Sequence, residues 1–132
     1  PDLATANNGF SGSGRSVSVL LNAGNGTLAP KVEALTADGP YAIAIGDLDG
    51  DGRLDVATAN AGSNSVSVLR NVGKGQFTPS RNYSTGATPS WIALADLDGD
   101  CFLDIAVSNG GYYPAFRGAL SVLRNQSRRL RP

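Results

Sequence analysis

Eight of the eleven acidic side chains of this 132-residue chain fall in two near-copies of one nine-residue loop. The first is Asp47-Leu-Asp49-Gly-Asp51-Gly-Arg-Leu-Asp55 and the second Asp96-Leu-Asp98-Gly-Asp100-Cys-Phe-Leu-Asp104. Carboxylates at positions 1, 3, 5 and 9, with a backbone carbonyl near position 7 from Arg53 or Phe102, gather hard oxygens of the kind that calcium takes. Two cation sites per chain are therefore expected, one on Asp47, Asp49, Asp51, Arg53 and Asp55 and one on Asp96, Asp98, Asp100, Phe102 and Asp104. Two unit charges about 4 Å apart repel by roughly 4 kcal/mol at an effective dielectric of 20, so a loop without its cation should fray.

An EF-hand also opens on acids at positions 1, 3 and 5, but it needs a bidentate glutamate at position 12 and flanking helices. Position 12 is Thr58 in one loop and Val107 in the other. The flanks read as strands: Tyr41 to Ile45 and Trp91 to Ala95 before the loops, Leu54 to Thr58 and Leu103 to Val107 after them. Ile43 and Ile45 alternate with Ala42, Ala44 and Gly46, the period-two pattern of a strand with one bulky and one small face. Each acidic loop is thus expected to close a hairpin.

Both hairpins belong to a longer repeat. A shift of 49 residues lays Ser16 to Gly62 over Ser65 to Gly111 without a gap, and about half the pairs are identical. A third, partial copy is split between the ends, where Asp2 to Asn7 matches Asp55 to Asn60 and Leu120 to Asn125 matches Val66 to Asn71. Each unit is read as four short strands: Trp91 to Ala95 and Ile105 to Ser108 as first and second, and from the preceding unit Val66 to Asn71 and Gln76 to Tyr83 as third and fourth, with Gly73 and Gly75 in the turn. Four strands per roughly 40 to 50 residues is the arithmetic of a β-propeller blade. Helical arrays are disfavoured because no segment has helical periodicity, and calcium-binding parallel β-helices have much shorter repeats.

The order of strand, Asp-x-Asp-Gly-Asp-Gly-x-x-Asp, Leu-Asp-(Val/Ile)-Ala, Val-Ser-Val-Leu-x-Asn and Gly-x-Gly-x-(Phe/Leu) resembles the FG-GAP/VCBS repeat, the blade of integrin-α-type propellers and of many bacterial surface proteins and some lectins. The resemblance covers nearly the whole chain. It implies an all-β fold of four-stranded antiparallel blades, with calcium held between first and second strands by Asp47, Asp49, Asp51 and Asp55 and by Asp96, Asp98, Asp100 and Asp104. Two departures stand out. Cys101 replaces the glycine represented by Gly52, where a positive φ would cost a residue with a Cβ about 1 kcal/mol or more, predicting a weaker second site. Asp2 matches position 9 of a loop whose first eight residues are absent, and reads as a structural acid.

The expected organisation is a single repeat region, 1–132: a partial blade over 1–46 lacking its first strand, a full blade over about 40–88 and a partial blade over about 89–132. That is under three blades, whereas closed propellers take about four to eight and an open arc exposes strand edges. Closure by homo-oligomerisation is therefore expected, two chains giving five or six blades and three giving eight. The alternative is a piece of a longer reading frame.

Catalysis finds little in this composition. Histidine is absent, the single cysteine lies in an acidic loop, and neither Gly-x-Ser-x-Gly nor a phosphate-binding glycine motif occurs. Outside the loops only Asp2, Glu33 and Asp38 remain for a carboxylate-pair hydrolase or an enzyme accessory domain. No membrane-spanning run or signal peptide is visible, and millimolar calcium is found outside cells, which favours a secreted or surface location. Net charge is zero, and the basic tail of Arg128, Arg129 and Arg131 reads as a solvated terminus rather than a nucleic-acid face.

Repeats differ most between second and third strands: Gly9 to Arg15, Ala61 to Ser65, and Gly110 to Ala119. Hairpin alternation puts this loop on the face opposite the acidic loops. Tyr112, Tyr113, Phe116 and Arg117 cluster in the longest version, as packing between blades or as a surface for stacking on a sugar or anchoring a protein. Trp91 stands where the other copy has Ala42, as core, channel lining or sugar platform. The expected function is calcium-dependent extracellular recognition or adhesion with glycan binding as one form, and the alternative is a structural module without a ligand.

Overall fold

A computed structural model describes residues 2–9, 14–111 and 118–126. Among them the chain is all-β: twelve strands and no helix, in antiparallel sheets that do not close into a barrel. The first sheet holds β1 (Leu3–Asn7), β2 (Ser16–Leu20) and β3 (Val32–Leu35) in that order. The second runs β4 (Pro40–Gly46), β5 (Asp55–Asn60), β6 (Ser65–Leu69) and β9 (Arg81–Ser84). A two-stranded ribbon, β7 (Asn71–Gly73) with β8 (Gln76–Phe77), interrupts the path from β6 to β9. The third sheet is β10 (Pro89–Ala95), β11 (Asp104–Asn109) and β12 (Ala119–Leu123).

The ribbon is a difference from the sequence reading, which ran Val66 to Asn71 and Gln76 to Tyr83 as two unbroken strands. Its turn explains the break. Gly73, Lys74 and Gly75 all have positive φ, and the Asn71 Oδ1 accepts from Gly73 N at 2.8 Å, so the chain folds back on itself before it can continue beside β6. The first repeat does the same with an isolated Asn22 to Leu28 bridge.

The sheets stack face to face, and the alternation of side chains says why. Directly paired residues share a face, so Val56, Leu69 and Ile43 lie together against Val17 and Ala34 of the first sheet. On the other face Ala42, Ala44, Ala57, Ala59, Val66 and Val68 meet Ile92, Leu94, Ile105, Val107 and Leu123 of the third sheet. Every residue of β5 is buried, because it is a middle strand of the middle sheet. Alanines on one face admit the large residues of the next, and Gly46 carries this furthest: a Cβ there would sit 2.8 Å from Leu103 Cδ1 and 2.9 Å from Leu94 Cδ1.

The side-chain amide nitrogen that ends each second strand is paired in the same way in each repeat. Asn60 Nδ2 donates to Ser65 Oγ at 3.1 Å and Ser67 Oγ at 2.9 Å; Asn7 Nδ2 donates to Ser16 and Ser18, and Asn109 Nδ2 to Ser121. A buried amide left without partners would cost about 1–3 kcal/mol, so the Asn that ends each second strand requires the serines of the third. That is the physical content of the recurring Val-Ser-Val.

Candidate metal centre

Both acidic loops join the first and second strands of their sheets, β4 to β5 and β10 to β11, at the same end of the stack. Each is organised by its first aspartate. Asp47 Oδ1 accepts from Gly50 N at 2.7 Å and Asp51 N at 3.2 Å, and its Oδ2 accepts from Gly52 N at 2.9 Å. Asp96 repeats this on Gly99, Asp100 and Cys101 at 2.7, 3.2 and 2.9 Å. The Gly52 amide, followed by the other loop amides, holds the Asp47 carboxyl below the ordinary 3.8, and the Cys101 amide leads the same effect at Asp96. The loops are therefore turned inward on a carboxylate, which offsets the repulsion among their acids.

The last aspartate ties each loop to the sheet. Asp55 is fully buried; its Oδ2 accepts from Leu48 N at 2.9 Å and its Oδ1 from Asn71 N at 2.8 Å. Asp104 takes Leu97 N at 3.0 Å and Asn125 N at 2.8 Å in the same way. Burial pushes the Asp55 carboxyl above 3.8 despite these two donors, with the Asp49 and Asp51 charges adding to the push. Asp2, at the matching position of the first sheet, keeps half of the arrangement by accepting from Asn22 N at 2.7 Å, which is a structural use of the acid.

Carboxylate oxygens of Asp47, Asp49 and Asp55 lie within 4.8 Å of one another, as do those of Asp96, Asp98 and Asp104. Asp49 Oδ1 is buried and has no hydrogen-bond partner. A buried acceptor without a donor is costly, and among three carboxylates it asks for a cation. Asp47 Oδ2 and both Asp55 oxygens each take one N–H, leaving a second lone pair for coordination. The donor set is all oxygen, the chemistry of calcium or magnesium rather than of zinc or copper. Asp51 and Asp100 stand outside these groups. Asp51 Oδ1 accepts from Arg53 N at 2.8 Å and its carboxylate pairs with the Arg53 guanidinium, while Asp100 Oδ1 accepts from Phe102 N at 2.9 Å.

Two arginines not singled out from the sequence complete the site. Arg70 Nη1 donates to Asp49 Oδ2 at 3.2 Å and Arg124 Nη1 to Asp98 Oδ2 at 3.1 Å. Each holds one oxygen of the third-position aspartate and thereby aims the other inward. The signal was present: Leu69-Arg70-Asn71 and Leu123-Arg124-Asn125 stand at the same place after the two loops.

The strained position is where the sequence placed it. Cys101 has φ 71°, matching φ 86° at Gly52. Of the candidate ligand residues, Trp91 is 69% exposed on β10, on the face turned away from the second sheet. Tyr112, Tyr113, Phe116 and Arg117 lie outside the described residues, as do Arg128, Arg129 and Arg131.

No helix among the described residues is long and apolar enough to cross a membrane. No curated protein and no solved structure matches the chain. A profile of the FG-GAP-like repeat does, twice, over residues 1–58 and 47–107. With one match spanning the first acidic loop and the other beginning in that loop and running through the second, the chain belongs to the FG-GAP repeat family.

Proposed function

We propose that this chain is a calcium-binding, non-catalytic module of β-propeller type that serves recognition or adhesion outside the cell. The observation that carries it is the orphaned Asp49 Oδ1 beside Asp47 and Asp55, in a geometry that Asp96, Asp98 and Asp104 repeat. Asp47, Asp49 and Asp55 would hold one ion and Asp96, Asp98 and Asp104 the other, with the Arg53 and Phe102 carbonyls available at position 7. Bound calcium would supply the positive charge that lets three close carboxylates stay ionised. Arg70 and Arg124 orient the ligands, and the stacked sheets fix both loops on rigid hairpins. The extracellular assignment rests on the family and on all-oxygen donor sets of the kind that extracellular calcium modules use.

The carboxylates outside the loops support a non-catalytic reading. Glu33 pairs with Lys31 at 2.7 Å, Asp38 pairs with Arg15, and Asp2 accepts from Asn22, so each has a structural partner. Calorimetric titration of chelated protein tests the metal claim: calcium should bind at two sites and raise the melting temperature. Binding lost in the Asp49→Asn, Asp98→Asn double variant would support it, and no heat and no thermal shift would sink it. A glycan array in calcium then tests the ligand class, with Tyr112→Ala and Arg117→Ala as the informative variants. Silence there would favour protein recognition or a purely structural role.

A further inference from the structure

A continuous path of hydrogen bonds joins the two acidic loops, although its middle partners, Leu48 and Asn125, are 77 residues apart. Asp104 Oδ1 accepts from Asn125 N at 2.8 Å, Asn125 Nδ2 donates to Leu48 O at 2.6 Å, and Leu48 N donates to Asp55 Oδ2 at 2.9 Å. One end is the buried aspartate of the second candidate site and the other the buried aspartate of the first. Leu48 is central to the first loop, because it stands between Asp47 and Asp49 and its own N–H is held by Asp55. Its side chain makes the same connection by packing, since Leu48 lies in the core cluster that contains Ile105, the neighbour of Asp104. Within its own sheet Asn125 Nδ2 also donates to Leu103 O at 3.2 Å, and the equivalent Asn71 Nδ2 donates to Leu54 O at 3.1 Å. The bond to Leu48 is thus additional to what holding a loop on its own sheet requires.

We infer that the two cation sites fill cooperatively, occupation of one raising the affinity of the other through Asn125. This rests on the calcium-binding reading given above. Carboxylate oxygens of Asp96, Asp98 and Asp104 lie within 4.8 Å of one another, and without a cation their charges push apart. Asp104 holds the Asn125 amide, so a shift of that carboxylate is passed to Asn125 and from there to the Leu48 carbonyl. A cation among the three acids removes the push and fixes Asp104. Asn125 then holds Leu48 where Asp47, Asp49 and Asp55 converge, and the first loop has less freedom left to lose when its own cation arrives. By linkage the first site acts on the second by the same factor. Charge alone acts the other way, because a cation in one loop lowers the negative potential at the next; salt at about 0.15 M screens that effect over about 8 Å and leaves the hydrogen-bonded path.

Calorimetric titration of the chelated chain with calcium, at that salt concentration, tests the inference. Asp49→Asn leaves the second site and Asp98→Asn the first, giving one binding constant each. The product of the two wild-type constants should exceed the product of these single-site constants by roughly fivefold or more. Repeated in an Asn125→Ala background, the comparison should bring the ratio close to unity, because the backbone amide on Asp104 remains and the side-chain link to Leu48 is cut. Asn71→Ala, which cuts side-chain contacts within its own repeat alone, should leave the factor intact. Hydrogen exchange gives a readout that needs no change at Asn125: in Asp49→Asn, calcium at the second site should slow exchange of the Leu48 amide in the first loop. Equal products, or a wild-type product below the single-site one, would overturn the inference and leave two calcium sites standing. A factor that survives whole in Asn125→Ala would overturn it too. Absence of calcium heat in every chain would overturn both the inference and the reading on which it rests.

Discussion

Cys101→Gly isolates backbone strain in the second loop from every other difference between the two. At Cys101 φ is 71°, a left-handed conformation that costs a residue with a Cβ about 1–2 kcal/mol. Glycine removes that cost but adds about 0.4–1 kcal/mol of unfolded-state entropy, leaving a gain centred on roughly 0.8 kcal/mol. Packing does not enter: a Cβ built on the equivalent Gly52 meets nothing within 4 Å, and Cys101 itself is exposed. Hydrogen bonding does not enter either, since Cys101 N already donates to Asp96 Oδ2 at the 2.9 Å that Gly52 N keeps to Asp47. For a domain of this size the melting temperature should rise by about 2–5 °C. The reciprocal Gly52→Ala should lower it by a similar amount, since alanine brings the strain and no new contact. Thermal unfolding is to be followed in chelator and again in calcium. If strain weakens the second site, calcium affinity at that site rises in Cys101→Gly while the first site is unmoved. A melting temperature that falls in Cys101→Gly would refute the reasoning, because the entropy of the added glycine would then outweigh the strain.

Arg70→Gln and Arg124→Gln should each weaken calcium binding at their own loop by about tenfold or more, read by titration, because the third aspartate loses the group that aims it; metal-free melting should change little, these being half-exposed ion pairs. Gly46→Ala should cost about 1–3 kcal/mol in urea unfolding, since the added methyl meets Leu94 and Leu103 across the sheet interface, and Leu103→Ala in the same chain should return part of the loss. In chelator, stability should have a maximum near the ordinary carboxyl value of 3.8, where the two opposed effects meet. Asp47 and Asp96 are held below 3.8, so their contribution is present above 3.8 and is lost as pH falls through their folded values; Asp55 is pushed above 3.8, so its contribution is present below 3.8 and is lost as pH rises through its folded value. A stability curve that climbs steadily to neutral pH would show that Asp55 is not the strained acid of the empty loop.

Period-two alternation made the strands legible because each has two unlike faces: Ile43 points to the first sheet and Ala42 and Ala44 to the third, as their spacing predicts. The acidic loops were legible for a related reason, since a turn that must gather three carboxylates has little freedom in where it puts them. What stayed hidden was set by contacts distant in sequence. Asp51 and Asp100 are ligands by position, and their Oδ1 atoms also accept from the backbone amides of Arg53 and Phe102 two residues on, a local contact that spacing alone does not reveal. Arg70 reaches Asp49 from the far end of β6, and only the recurrence of Leu-Arg-Asn after both acidic loops would have linked them. The ribbon of β7 and β8 was missed because Lys74 has φ 53° without being glycine, so the turn looked one residue looser than it is. A repeat thus exposes first what every copy must do, and the features it conceals are those in which one copy supports another. Leu48 shows the dependence: its carbonyl accepts from Asn125 Nδ2 at 2.6 Å, so the first acidic loop is braced by the end of the third sheet, and the geometry of the candidate site there depends on the integrity of the stack.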